Sequence, residues 1–174
     1  VRTFGDERIF ENRRSLPRAW LARQAATLGA DEIVQTIHTS RLPDGAPYDP
    51  AVVALVEEPI ALVEARDDSV PGRAEIVSSA DTRVEIETEA RGPSLLVLGD
   101  LHYPGWTATV DDRPAPIVRT NLVQRGVQLP AGRHRVRFVF RPLSFRVGAT
   151  VSGAAALILL VMIAPPGFRK QSDV

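Results

Sequence analysis

Two short polar groups are the residues in this sequence whose types and spacing suit chemistry. Asp100 and His102 lie two positions apart, so on an extended backbone both side chains leave the same side, beside Tyr103 and Trp106. A carboxylate and an imidazole placed in this way suit contact with a sugar or with the active site of a membrane domain. The same residues equally suit hydrogen bonds that brace a turn, with Trp106 filling the core. As metal ligands two side chains are too few. The second group is Arg119, Asn121 and Arg125, on adjoining strand positions. A guanidinium makes bidentate contacts to phosphate or carboxylate, so this group suits a lipid phosphate or an anionic polymer, or an ion pair with a glutamate-rich face of the same domain.

Other chemistry is harder to build. The three histidines, His38, His102 and His134, fall in no catalytic spacing, and there is no Gly-x-Ser-x-Gly elbow, phosphate-cradling glycine loop or His-Glu-x-x-His helix. Cysteine is absent, which removes disulfides and thiolate chemistry together. No catalytic residue, cofactor or metal is assigned. Twenty-one basic residues balance 21 acidic ones, so the chain lacks the electrostatic footprint of a nucleic-acid partner. The 174 residues suggest one domain with an appendage, and the start at Val1, with no initiator Met or signal segment, suggests a piece of a longer protein.

The elements that must position these groups read as mainly β. Arg83 to Ala90 alternates, with Val84, Ile86, Thr88 and Ala90 on one side and Glu85, Glu87 and Glu89 on the other. Arg133 to Arg141 does the same, with Val136, Phe138 and Phe140 inward and Arg135, Arg137 and Arg141 outward. These glutamate and arginine faces either pair across strands or stand solvated. Ser94 to Leu98 is a continuous apolar run, as in a strand covered on both faces. Further strands are expected at 51–56, 60–65, 73–79, 106–110, 115–120 and 122–129, with a hairpin turn at Asp111-Asp112. Asp31 is the expected N-cap of a short helix with Ile33, Val34 and Ile37 on one face. The expected fold is an antiparallel, jelly-roll-like β-sandwich carrying that short N-terminal helix.

Val147 to Ala164 is apolar and uncharged for eighteen residues, about 27 Å as a helix, which suits a membrane span better than a core helix. Gly148, Ser152 and Ala156 recur every four positions, as in a close helix-packing face or an Ala-rich accident. Arg169 and Lys170 favour a cytoplasmic tail, while Arg141 and Arg146 flank the other end.

The segment Leu95 to Gly148 carries a resemblance. Gly99 to Trp106, Val110 to Pro114, Arg119 with Asn121, Arg125-Gly126-Val127, Pro130 to His134, Arg141-Pro142 and Ser144-Phe145 run in order into an apolar helix. So ordered, they resemble the carboxy-terminal region of the YfhO family of bacterial multispanning membrane proteins, and Glu11-Asn12 with Leu16 to Ala19 resemble its approach to this domain. Residues 24 to 50 match least, and Asp111-Asp112 stands where relatives usually carry Asp-Gly.

The resemblance implies a C-type membrane glycosyltransferase that uses polyprenyl-phosphate sugars to decorate cell-envelope polymers, with its catalytic carboxylates in early loops outside this chain. It implies a lead-in segment over 1–50, an extracytoplasmic sandwich over 51–145, a transmembrane helix over 146–165 and a cytoplasmic tail over 166–174. The implied setting is the bacterial cytoplasmic membrane. The implied partners are the lipid bilayer, the upstream membrane bundle of the same protein and a polyprenyl-phosphate sugar or envelope polymer. The alternative is a noncatalytic, membrane-anchored module for glycan binding or assembly.

Overall fold

A computed structural model describes residues 2–4, 7–9, 12, 15–60 and 72–163. The chain divides into two units, Val1–Phe140 and Arg141–Val174. The first contains β1 (Arg2–Phe4), β2 (Glu7–Ile9), β3 (Ala19–Ala22), β4 (Gln24–Thr27), α1 (Ala30–Thr39) and β5 (Val53–Val56). It continues with β6 (Arg73–Ala80), β7 (Arg83–Ala90), β8 (Ser94–Leu101), β9 (Trp106–Val110), β10 (Arg113–Ala115), β11 (Val118–Thr120), β12 (Gln124–Leu129) and β13 (Gly132–Phe140). The second unit contains α2 (Leu143–Ile163).

The fold is mainly β, as expected. Two sheets form the sandwich, one in the order β10-β9-β13-β7-β6 and one in the order β3-β8-β12-β11-β5-β4, with β1-β2 a separate hairpin. Among the described residues, all strand pairings are antiparallel except β4 with β5. Parallel neighbours need a crossover, and α1 lies in the connection between these two strands. The core between the sheets joins Leu21, Leu96, Leu98, Val127 and Leu129 from one with Val84, Ile86, Val136 and Phe138 from the other. Leu95 and Val97 face the opposite way into a second cluster with Ala22, Ala54 and Val56. That two-sided burial explains the unbroken apolar run of β8.

The alternation of β7 is borne out, since Val84, Ile86, Thr88 and Ala90 are buried. Its glutamates meet the arginines of β13 in register, Glu85 opposite Arg137, Glu87 opposite Arg135 and Glu89 opposite Arg133. The two open readings of these faces therefore coincide: they pair, and they do so largely in solvent. The expected strand over 60–65 falls mostly outside the described residues.

Two local expectations are corrected. The N-cap of α1 is Gly29 rather than Asp31, and the Glu32 carboxylate accepts a hydrogen bond from the Gly29 amide at 2.9 Å. Asp31 instead lies in the first turn, where its charge complements the helix dipole. The buried side of α1 is Ile33 with Thr36, while Val34 and Ile37 are exposed. Ile33 packs against Val53 and Leu55, and one such contact line suffices for a short surface helix.

The hairpin at Asp111-Asp112 is tight. Val110 pairs with Arg113, leaving two loop residues with φ of 49° and 66°. Positive φ at both positions is the primed turn that matches strand twist, and aspartate tolerates it better than most side chains.

In the second unit, α2 is long and apolar enough to cross a membrane, with a mean hydropathy of 2.0 over its best window and none of that window buried. A core helix of a soluble protein would be mostly covered. The helix begins at Leu143, a few residues before the apolar stretch seen in sequence, with Arg141 and Pro142 separating it from β13.

Candidate functional site

Asp100 and Arg125, drawn from the two separate polar groups, meet at one corner of the sandwich. Along β8, Asp100 follows Leu96 and Leu98 at alternate positions, and along β12, Arg125 precedes Val127 and Leu129 in the same way. The strand period thus turns a carboxylate and a guanidinium toward the core side of neighbouring strands. Nη2 of Arg125 donates to Oδ2 of Asp100 at 2.8 Å.

Arg18 completes the corner from the other side. Its Nε donates to Asp100 Oδ1 at 2.8 Å and its Nη2 to Oδ2 at 2.9 Å, the bidentate geometry that suits a guanidinium to a carboxylate. Its Nη1 donates to Ser79 Oγ at 3.0 Å. Gly99 makes this approach possible: its amide donates to the Arg18 carbonyl at 2.7 Å, and a Cβ there would sit 3.3 Å from that same oxygen. A side chain at 99 would crowd the Arg18 backbone, which would have to give by a few tenths of an ångström.

Arg125 is only 2% exposed, an unusual place for a permanent charge. The ring of Trp106 lies 3.9 Å from its guanidinium carbon and that of Phe138 lies 5.4 Å away. Ring faces attract a cation and partly offset its lost hydration. Nε and Nη1 of Arg125 are enclosed without a hydrogen-bond partner, so the rings and Asp100 carry the compensation.

The electrostatics follow from this geometry. The Arg18 hydrogen bonds, with the field of Arg18 and Arg125, hold the Asp100 carboxyl below its ordinary pKa against the opposing effect of burial. Burial pulls the Arg125 guanidinium down, and Asp100 opposes that shift. Arg18 is raised, first by its hydrogen bond to Asp100. Two cations around one ionised carboxylate leave the corner with a net charge of +1. With both carboxylate oxygens engaged by guanidinium groups, Asp100 is poorly disposed to act as a general base.

The other candidate residues are dispersed around this corner. His102 lies beyond the end of β8 with its side chain exposed, and its amide donates to the Val123 carbonyl at 2.6 Å. Asp100 bonds the two arginines rather than the turn. Tyr103 is exposed and tilts against Phe140 at a ring separation of 6.3 Å. Trp106 is half-buried, between Arg125 and Phe140.

Arg119 pairs with Glu57 at 2.6 Å, away from the glutamates of β7. Asn121 is a turn residue at φ 48°. Its Oδ1 accepts from the Leu55 amide at 2.9 Å and from the Tyr48 hydroxyl at 3.4 Å, and its Nδ2 donates to Gln124. Arg119 and Asn121 therefore tie β11 to β5, and of their group only Arg125 reaches Asp100. Arg18 was not singled out in the sequence as a site residue. Its partner is 82 positions away, a separation that no local spacing rule spans.

The first unit also carries two open clefts, one of them adjoining this corner. One, of about 580 Å³, is bordered by Glu87 and Glu89 of β7, Arg133 and Arg135 of β13 and the Asp111-Asp112 turn. There His134 Nδ1 lies 2.7 Å from Asp111, and Arg137 contacts Asp112. The other, of about 560 Å³, reaches the Asp100 corner, with Arg18 and Gly99 lining it beside Trp20, Tyr48, Asn121 and Gln124. Burial, with the nearby charge of Asp49, pushes the Tyr48 hydroxyl up to about 12. Among the described residues no group of three or more metal-ligating side chains comes together. No family model, curated protein or solved structure matches this chain.

Proposed function

We propose that this chain is the extracytoplasmic β-domain and a membrane span of a YfhO-like integral-membrane protein, a glycosyltransferase that draws on polyprenyl-phosphate sugars to modify cell-envelope polymers. In this reading the β-domain braces the membrane portion and catalysis occurs in other parts of the longer protein. The carrying observation is α2, a 21-residue apolar helix with none of its best window buried, joined to a β-sandwich through Arg141-Pro142. The ordered motifs from Gly99 to Phe145 support the family assignment.

Bracing is favoured over ligand capture at the Asp100 corner because its carboxylate is engaged internally and the remaining Arg125 N–H groups are enclosed. Asp100 is saturated by two arginines, and Trp106 is covered by Arg125 and Phe140. The test of the enzymatic claim is sugar transfer by membranes carrying the complete gene product. Labelled sugar should pass from a polyprenyl phosphate to an envelope polymer above the level of membranes lacking that product, and equal transfer in both would contradict the proposal.

The cleft walled by Trp20 and Tyr48 favours one second reading, a noncatalytic glycan-binding module. Aromatic walls with amide groups suit a sugar ring, although Trp20 Nε1 already donates to the Pro50 carbonyl at 3.0 Å. Saturable quenching of tryptophan fluorescence by an envelope oligosaccharide, lost in Trp20→Phe, would support it. Equal quenching in both proteins would count against it.

A further inference from the structure

Among the described residues of the β unit outside α1, four large apolar side chains stand exposed: Val77 on β6, at 48%, and three others that lie together. Leu101 is 69% exposed, Tyr103 63% and Val123 47%. They are neighbours in the fold. Leu101 stands opposite Gln124 at the end of the β8–β12 pair, and the His102 amide bonds the Val123 carbonyl. Tyr103 is held against Phe140, the last residue of β13, and Phe140 pairs with Trp106.

All three therefore lie at the end of the sandwich where β13 finishes. The opposite end, where β12 runs into β13, carries Pro130, Ala131, Gly132 and Arg133. Two residues, Arg141 and Pro142, separate Phe140 from the first residue of α2. A connection that short spans at most about 11 Å when fully extended, which ties this end of the sheet to the place where the apolar helix starts.

We infer that Leu101, Tyr103 and Val123 form an interfacial foot that rests in the headgroup layer of the bilayer. The inference rests on the proposed reading of α2 as a membrane span. Tyrosine favours the membrane–water boundary because its ring is apolar and its hydroxyl stays hydrated, and leucine and valine gain by leaving water. The charges at this end suit the same occupant. Arg18 and Arg83 are exposed there, as is Asp81 at the β6–β7 turn, and Asp100 is neutralised by its arginines. Exposed Arg18 and Arg83 can meet anionic headgroups. The foot would hold the domain against the membrane rather than letting it swing on a two-residue link.

Because the sequence contains no cysteine, single labels can be placed without removing native residues. The full chain would be reconstituted in vesicles of phosphatidylcholine and phosphatidylglycerol with a nitroxide at Leu101→Cys, Tyr103→Cys, Ala131→Cys or Leu157→Cys. Collision with oxygen and with a water-soluble nickel chelate would then be compared. The ratio of oxygen to chelate collisions is expected to be several-fold higher at 101 and 103 than at 131, and highest at 157. A high ratio at 157 with 101 and 103 matching 131 would overturn the foot and leave the span intact. Protection of 101 and 103 from both quenchers would also overturn it, in favour of a protein contact. A low ratio at 157 would overturn the span and the foot together.

Discussion

The Asp100 corner and the β7–β13 ladder are built from the same chemistry and differ in burial. In the ladder, Arg133, Arg135 and Arg137 stand opposite Glu89, Glu87 and Glu85, with closest ion-pair distances of 3.4, 2.8 and 2.9 Å. Most of these side chains are wet. At the corner the distances are no shorter, but Arg125 is enclosed and Asp100 is four-fifths covered. Water screens the ladder and leaves its ion pairs nearly interchangeable, whereas a guanidinium out of water depends on its counter-charge. A count of ion pairs would rank the ladder first; burial ranks the corner first.

The comparison breaks most sharply at Asp100→Asn, which leaves Arg125 buried beside a neutral amide. The expected loss is roughly 2–4 kcal/mol, less than for a fully buried pair because Asp100 retains some solvent contact. Chemical denaturation of the detergent-solubilised chain, followed by tryptophan fluorescence, measures it. A midpoint unchanged from wild type would contradict the burial argument.

Acid should produce a related loss without mutation. The Asp100 pKa is depressed in the fold, so its contribution is complete above the ordinary carboxylate value of about 3.9 and disappears as pH falls toward the folded value. The stability of wild type should therefore drop below about pH 4 more steeply than that of Asp100→Asn. Parallel curves would show that Asp100 does not link pH to folding.

Arg125→Met should cost less than Asp100→Asn, about 1 kcal/mol or even a small gain, because an apolar side chain removes the buried charge and Arg18 still satisfies Asp100. A cost equal to that of Asp100→Asn would mean that the stacking of Arg125 on Trp106 carries the corner. At the ladder, Glu87→Gln should leave the midpoint unresolved from wild type at moderate salt, and any effect should shrink as salt rises. A salt-independent loss there would erase the contrast between the two regions.

Much of the frame was legible in the sequence, because burial on one face imposes a period of two that survives in β7 and β13. The partners of those faces were not, since register depends on which strands lie adjacent, and β7 and β13 are joined through five intervening strands. Asp100 and His102 share parity only while the chain stays extended. The strand ends at Leu101, so the imidazole departs from the carboxylate. Arg125 was visible as a cation but not as a buried one, because the rings that shelter it come from β9 and β13. The parallel β4–β5 pair was missed for a related reason: Gln24 to Thr27 has little β signature, and its place is set by α1 returning the chain to the sheet edge.

The membrane reading is tested most directly by where the chain fractionates with and without residues 141–174. The account predicts that the full chain sediments with membranes and needs detergent for release, while residues 1–140 remain soluble, folded and monomeric. A full chain that stays in solution without detergent, or a truncated chain that cannot fold in water, would place the last helix in a soluble core and contradict the account.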